Sequence, residues 1–472
     1  MKTEQNLILS DERCDFILNG NIRKVVWFLS WPIVVQMLLN FLVVAVDMKM
    51  VGALGSNAIA AVGMSQQLLT FLYVSARGIS VGTTATVARY YGQKNSSGVM
   101  CASNQTIIII LVFSAFFSTV GLLSAKSLLT MMGAQGEVLA LAHIYLSLLL
   151  CGLLFFIGKV FLWSIFQGIG DTKTPLILEV LANTLNISLN YVFIFGLGFI
   201  PAYGVAGAGM GTFLAHFITF SIGFYYLLQK VYFPLPSLKK FLRCNYDKLR
   251  SILRIGIPVS LQEITQVVAN TLIMALVART THGTNAVSGY SLGIVIFSFA
   301  FFPSNAIATA SAAMVGINLG NNNVQRAHES GWKCAGLGAL LIFILSVISF
   351  VYAPQLVGFF VKDALVVAIG ASVVRVVAVV EPIHATGYII ARTMQGAGES
   401  KIPFYISTLA WLVIRVPLAW FLAFTLGMQE QGIWLSIAST QVLAALLLIL
   451  LYHKGVAFRK FVPTEQMLES NV

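Results

Sequence analysis

Gln167-Gly168-Ile169-Gly170-Asp171-Thr172-Lys173-Thr174-Pro175 (QGIGDTKTP) returns far down the chain as Gln395-Gly396-Ala397-Gly398-Glu399-Ser400-Lys401-Ile402-Pro403 (QGAGESKIP). A polar turn repeated at that distance points to two homologous halves, a common way of building a transporter around a central site. Two further landmarks agree in order. Trp31-Pro32-Ile33-Val34-Val35-Gln36 recurs as Ile257-Pro258-Val259-Ser260-Leu261-Gln262, each an early-helix proline with a glutamine four residues on. The segment Val87 to Asn95 (VARYYGQKN) recurs as Val315 to Asn323 (VGINLGNNN). Partners keep a nearly constant separation, so the halves are in register.

What fills the halves is apolar. Hydrophobic residues make up 58% of the 472 positions and charged residues 10%, against ~25% charged in a typical soluble domain. Runs that meet the roughly 20 residues needed to cross a hydrocarbon core recur along the whole chain with short polar breaks. The expected fold is an all-α integral membrane protein: twelve transmembrane helices in two six-helix bundles, related by an internal pseudo-twofold axis along the membrane normal, because six is even. The expected divisions are a cytoplasmic N-terminal segment (1–22), an N-lobe (23–229), a cytoplasmic linker (230–251) with Pro234 and Pro236, a C-lobe (252–455) and a cytoplasmic tail (456–472).

The net charge of +12 invites a nucleic-acid reading until the cations are located. Arg23, Lys24, Lys94, Lys173, the run Lys239, Lys240, Arg243, Lys248, Arg250 and Arg254, then Arg326, Lys401, Lys454, Arg459 and Lys460 fall on alternate loops; the opposite loops hold Lys126, Arg279 and Lys362. That bias is the positive-inside rule, and it expects both termini in the cytoplasm and no nucleic-acid partner. Residues 1–22 carry Asp11, Glu12, Arg13 and Asp15 and no cleavable apolar core, so the first span is expected to be its own insertion signal. The five cysteines show no CxxC spacing, which predicts free thiols and no structural metal.

Ionisable and amide groups inside spans are expensive and therefore functional candidates. Asp47 lies in the first span, where the second half carries an aliphatic position near Ile273. Asn183, Asn186 and Asn190 are spaced three and four apart, on one helix face, where the second half has Trp411, Ile414 and Leu418. A carboxylate with amides offers hard oxygens to a small cation, or a place for a proton. The candidate cation-coupling set is Asp47, Asn186, Asn190 and Thr212, with Na⁺ and H⁺ both open; plain interhelical hydrogen bonding is the alternative for the amides. No cofactor is expected, nor any metal beyond a transient Na⁺ at Asp47. Gln36, Asn40, Glu263, Gln266, Asn270, Glu381 and His384 are candidates for the substrate path, although Glu381 could instead pair with Arg375. Arg77, Arg89, Lys159 and Arg415 read as helix-end or interhelical anchors. The glycines of Gly204 to Gly211 follow no strand, which excludes a nucleotide loop and favours close helix contact.

Val46-Asp47 followed by Val51-Gly52-Ala53-Leu54-Gly55, then Ile59-Ala60-Ala61-Val62-Gly63, Tyr91-Gly92-Gln93-Lys94-Asn95, the two Gln-Gly-x-Gly-Asp/Glu turns and Leu189-Asn190-Tyr191-Val192-Phe193-Ile194-Phe195-Gly196 resemble the MATE (multidrug and toxic compound extrusion) transporters. The resemblance covers about Ile22 to Lys460. It implies a V-shaped pair of six-helix bundles that exports cationic or amphipathic drugs in exchange for Na⁺ or H⁺; helical spans with short loops fit a bacterial inner membrane, and a monomer is expected. Asp47 looks like the family's first-span acid, and Asn186 and Asn190 fall where its fifth-span polar cluster lies. DinF-like members carry an Asp where this chain has Asn190; NorM-like members place a Glu where Gln266 stands, and their tenth-span acid aligns nearer His384 than Glu381. The subfamily stays open between the two. A lipid-precursor flippase would need a more cationic cavity, an intramembrane hydrolase a motif such as HExxH, and a passive channel no central site between repeats.

Overall fold

The structure, a computed structural model, describes residues 12–231 and 244–461. Lys239, Lys240, Arg243 and the two linker prolines lie outside the described residues. After a short helix α1 (Glu12–Asn19) come α2 (Ile22–Gly52), α3 (Ser56–Gly92), α4 (Ser96–Met131), α5 (Gly136–Cys151), α6 (Leu153–Gly168), α7 (Lys173–Phe195) and α8 (Val205–Val231). The second half runs through α9 (Tyr246–Val277), α10 (Gly283–Gly320), α11 (Val324–Val351), the one-turn α12 (Ala353–Gly358), α13 (Ala364–Gly396), α14 (Lys401–Thr425) and α15 (Gln429–His453).

Eleven of these are long and apolar enough to cross a membrane, and the pair α5 and α6, bent by 51°, supplies the twelfth span. All-helical spans are what lipid demands, since every backbone N–H and C=O must be satisfied within its own segment. Their outer faces are apolar: Val112, Leu123 and Met131 on α4 and Leu340 and Phe343 on α11 are exposed, and hydrocarbon covers such residues without penalty.

Irregularities sit where the sequence forces them. Gly152 makes the bend between α5 and α6; a Cβ there would lie 2.5 Å from the Phe213 ring of α8. In α14, Pro417 has no N–H to give, and wider π-helical turns flank it at Leu409–Ile414 and Phe421–Thr425. Pro32 and Pro258 are both accommodated inside long helices, α2 and α9.

The repeat extends to single torsion angles. Lys94 and Asn322 occupy the same left-handed conformation, with φ of 53° and 56°. The next residue caps the following helix in both halves: Asn95 accepts from Gly98 N at 2.8 Å, and Asn323 from Arg326 N at 2.9 Å. Gly170 and Gly398 have φ of 70° and 91°. A Cβ on Gly168 would sit 3.1 Å from the Thr84 carbonyl oxygen of α3, and one on Gly396 would strike the Ala312 carbonyl of α10. The same turn thus presses on the same helix in each half.

Two compact units result: one gathers the described residues up to Cys14 with Val35–Leu253, the other Asp15–Val34 with Arg254 onward. The first part of α2 is therefore counted with the second unit, whereas the sequence divides the chain at its basic linker. In the first unit Asp171 anchors the α6–α7 turn, meeting Lys230 Nζ at 2.6 Å and Arg13 at 3.1 Å while accepting from Thr174 N. Burial alone would raise its carboxyl, but these cations and the backbone donor hold it below the usual carboxylate range.

Glycine lets α7 and α8 approach. A Cβ at Gly207 would collide with the Phe193 carbonyl and lie 2.8 Å from Ile194 N, backbone atoms that cannot rotate away. Gly207→Ala is expected to lower the stability of the detergent-solubilised protein by about 1–3 kcal/mol, read as a drop in thermal midpoint. Gly63→Ala, where a Cβ meets nothing within 4 Å, is the matched control and should leave the midpoint unchanged.

Candidate functional site

Asp47 lies on the last two turns of α2, and α7 turns its polar stripe toward it. Asn190 Nδ2 donates to Asp47 Oδ1 at 2.9 Å and to Asn186 Oδ1 at 3.2 Å; Asn186 Nδ2 lies 3.1 Å from the Thr212 hydroxyl of α8. The Asn186 amide meets its neighbours better when turned over: its nitrogen then reaches Asp47 Oδ1 and Oδ2 at 3.2 and 3.0 Å, and Thr212 donates to its oxygen. In either orientation the four residues form one connected cluster. Asn186 and Asn190 are 6% and 1% exposed, so water does not compete for their hydrogen bonds.

The local fold makes this possible through Gly211. A Cβ there would run into the Asn190 side-chain oxygen and sit 2.8 Å from its backbone nitrogen. With only hydrogen at that position, α8 closes on α7 and the Asn190 amide stays flat against the gap. Asn190 Oδ1 itself is buried without a hydrogen-bond partner. An unsatisfied carbonyl oxygen beside a carboxylate is a place where a small cation or a hydronium finds ligands.

The first-unit residues expected along the substrate path divide. Asn40, exposed on α2, receives Asn183 Nδ2 at 3.4 Å and continues the cluster along the helix. Gln36 is buried, its Nε2 3.4 Å from the Thr172 carbonyl, tying α2 to the start of α7.

In the second unit Glu381 and His384 come together, with Nδ1 3.2 and 3.3 Å from the two carboxylate oxygens. Glu381 is 2% exposed and also borders a small cavity with Ser346 and Ser349. Arg375, weighed as its partner from the sequence, instead donates to the Phe350 carbonyl at 3.4 Å. Glu263 is taken by Arg392 of α13, a residue that sequence reasoning missed because nothing local links it to Glu263. Arg392 also reaches Tyr388 Oη and Gln395 Oε1, and Gln395 donates to Gln262 Oε1 at 2.9 Å. Phe301 of α10 stacks on His384 at 5.6 Å and meets Tyr388 at 4.9 Å. Glu381, His384, Tyr388, Arg392 and Gln395 thus follow one face of α13, a line the three-and-four spacing could have disclosed. Gln266 is half-buried and Asn270 exposed, and neither is joined to this line by a hydrogen bond that the structure records. Among the described residues no three His, Cys, Asp or Glu side chains gather into a metal-binding group.

With that geometry in hand, comparison with known proteins is direct. The family pattern described as MatE matches residues 32–192 and 258–421, one copy in each half. The uncharacterized transporter YisQ of Bacillus subtilis (strain 168) is 27% identical over 421 residues, covering 89% of this chain and 92% of its own. A protein described as "Probable multidrug resistance protein NorM" from Thermotoga maritima is 25% identical over 456 residues, covering 95% and 96%. Among solved structures, a MOP superfamily transporter from Pyrococcus furiosus superposes with a TM-score of 0.86 at 25% identity, covering 94% of this chain and 98% of that one. A multidrug resistance MATE family transporter in an outward-facing conformation superposes at 0.84 with 25% identity, covering 96% and 97%.

The Glu263–Arg392 pair carries a testable energy. Arg392→Met takes the guanidinium away from the part-buried Glu263 carboxylate and should destabilise the protein by roughly 3 kcal/mol, whereas the double change Glu263→Gln with Arg392→Met should recover most of that loss. Denaturation midpoints of the four proteins in the cycle give the answer.

Proposed function

Since the chain belongs to the MatE family, whose members are membrane transporters and not enzymes, we propose that it is a secondary active multidrug efflux transporter, exchanging cationic or amphipathic organic compounds for Na⁺ or H⁺ by alternating access. The observation that carries the reading is the Asp47–Asn190–Asn186–Thr212 cluster. A carboxylate in the membrane interior with no cationic side chain beside it is a functional candidate by default. Here it is ringed by amides that can adjust to its charged or neutralised form, beside a carbonyl oxygen still in want of a partner.

Occupancy of that cluster by a cation favours one conformation of the transporter, and occupancy of the drug site favours the other. A gradient of the cation then drives the drug outward, provided each ligand binds the two states unequally. No further cofactor is needed. Glu381, His384, Phe301 and Tyr388 supply what an organic cation prefers, an acid flanked by aromatic faces. We further propose a monomer in a bacterial inner membrane with both termini in the cytoplasm, in keeping with the lysine and arginine bias of the loops. Flippase activity is not favoured: the buried cations Lys159 and Arg392 are paired with Glu179 and Glu263, and Arg415 donates to the Thr440 hydroxyl.

Efflux of a fluorescent cationic dye from reconstituted vesicles tests the proposal. Wild type should move dye under an imposed Na⁺ or pH gradient, and Asp47→Asn should not; equal rates from both proteins under both gradients would remove Asp47 from the coupling site. Gly211→Ala keeps every polar group but displaces the Asn190 amide, so its dye efflux is expected to fall toward that of Asp47→Asn while dye binding in detergent persists.

A further inference from the structure

The first unit buries a second set of titratable groups that the exchange at Asp47 does not employ. Lys159 of α6 donates to Glu179 Oε1 of α7 at 2.9 Å, and Trp163 Nε1, one turn along α6, donates to Glu179 Oε2 at 3.0 Å. Glu179 is 2% exposed. On α8, His216 lies with its ring 5.1 Å from that of Phe156, a residue on the same face of α6 as Lys159. His216 Nδ1 is buried without a hydrogen-bond partner.

These groups stand in line with the Asp47 cluster. Glu179, Asn183, Asn186 and Asn190 are spaced four, three and four apart, a single stripe along α7. On α8, Thr212, His216 and Thr219 repeat the pattern at four and three. The stripe covers roughly 16 Å of helix at 1.5 Å per residue, from the Asp47 cluster toward the end of the bundle that carries the α6–α7 turn. Asn190 Oδ1, His216 Nδ1 and Thr219 Oγ1 all lie on it, and all three are buried without partners.

The internal repeat separates what the fold needs from what it does not. At the spacing that relates Gln167 to Gln395, the positions of Lys159 and Glu179 fall on Gly387 and Ser407; the loop before the last span is shorter in the second half, and counted from the starts of α8 and α15 His216 falls beside Thr440 and Gln441. There the second unit packs Gly387 directly on Ala445, and Ser407 accepts from Gln262 Nε2 at 2.9 Å. The same six-span arrangement therefore stands without a lysine, an acid or a histidine at these places.

We propose that Lys159, Glu179 and His216 form a second, proton-holding station of the first bundle, joined to Asp47 by the polar stripe, so that the ion crossing this bundle is a proton. The inference rests on the Asp47 coupling reading and extends it. A metal cation is a poor occupant, since both Glu179 oxygens already accept N–H donors and the Lys159 ammonium stands 2.9 Å from one of them. A metal ion also needs several free oxygen ligands at once, and these two are taken. A proton needs only a lone pair. With its hydrogen on Nε2, His216 offers one on Nδ1; taking a proton forms one N–H bond and gives an imidazolium, releasing it restores the neutral ring, and no electrons change hands. The titratable groups that face this part of α8 are Lys159 from α6, Glu179 from α7 through its pairing with Lys159, and Tyr145 from α5, which lies against α8 near Gly209.

The test uses the full chain in proteoliposomes loaded with a pH indicator, with dye movement and internal pH followed together under imposed pH and Na⁺ gradients. His216→Gln leaves the ion pair intact, and the charge-neutral double variant Lys159→Met with Glu179→Gln removes it without stranding a charge. Both should bind dye in detergent as wild type does, while dye-coupled proton flux falls about tenfold or more. Should the double variant lose dye binding, His216→Gln alone decides. Wild-type proton flux in His216→Gln, or exchange driven by Na⁺ with no proton movement in the wild type, would overturn the proposal while leaving Asp47 as the coupling site. If Asp47→Asn also keeps wild-type coupling, the coupling reading itself falls and the station falls with it.

Discussion

A membrane interior has no water to offer, and the polar groups within the described spans are arranged under that constraint. Backbone groups meet it by forming helices throughout the spans. Side chains meet it in pairs: Lys159 with Glu179, Arg392 with Glu263, Arg415 with Thr440, Gln262 with Gln395. What remains after this pairing is informative. Asp47 has amides but no cation, and Asn190 Oδ1 has no partner. A carboxylate held in hydrocarbon by neutral amides alone is a functional candidate by default.

The same constraint explains how much could be read from the sequence. The repeat was legible because its turns need particular residues: Gly170 and Gly398 for positive φ, Asn95 and Asn323 as helix caps. The polar face of α7 was legible because three-and-four spacing survives any tertiary detail, and the structure joins Asp47, Asn186, Asn190 and Thr212 as one cluster. Gln36 was not legible. It lies on the same helix as Asp47, but whether such a residue looks toward a cavity or toward a neighbouring loop depends on a rotation that one sequence does not specify; here it meets the Thr172 carbonyl. Arg392 escaped notice because its partner, Glu263, is distant in sequence and no local pattern links them. The need for glycine at the Gly152 bend was equally hidden, since the ring that leaves no room for a Cβ there, Phe213, belongs to another helix.

Within the first unit, α2 and α7 are joined at three levels: Gln36 to Thr172, Asn40 to Asn183, and Asp47 to Asn190. The three contacts differ in kind. The first is to backbone and fixes the helix to a turn; the second joins two neutral amides; the third involves the acid. A change of charge at Asp47 therefore alters one rung directly and leaves the others as reference points, which is a physical basis for transmitting a local event along a helix pair without unfolding either member.

The matched left-handed residues Lys94 and Asn322, each followed by a capping asparagine, have a historical consequence. Matched torsions, caps and turn sequences at equivalent places are what two descendants of one segment would share. The two halves are then copies of an ancestral six-span polypeptide, joined end to end by gene duplication. Once fused, the copies no longer needed identical interiors: one could specialise in ion handling with Asp47 and the α7 asparagines, while the other filled those positions with Trp411, Ile414 and Leu418. Division of labour between duplicated halves, with the turns conserved as joinery, is how a symmetric scaffold acquires an asymmetric engine.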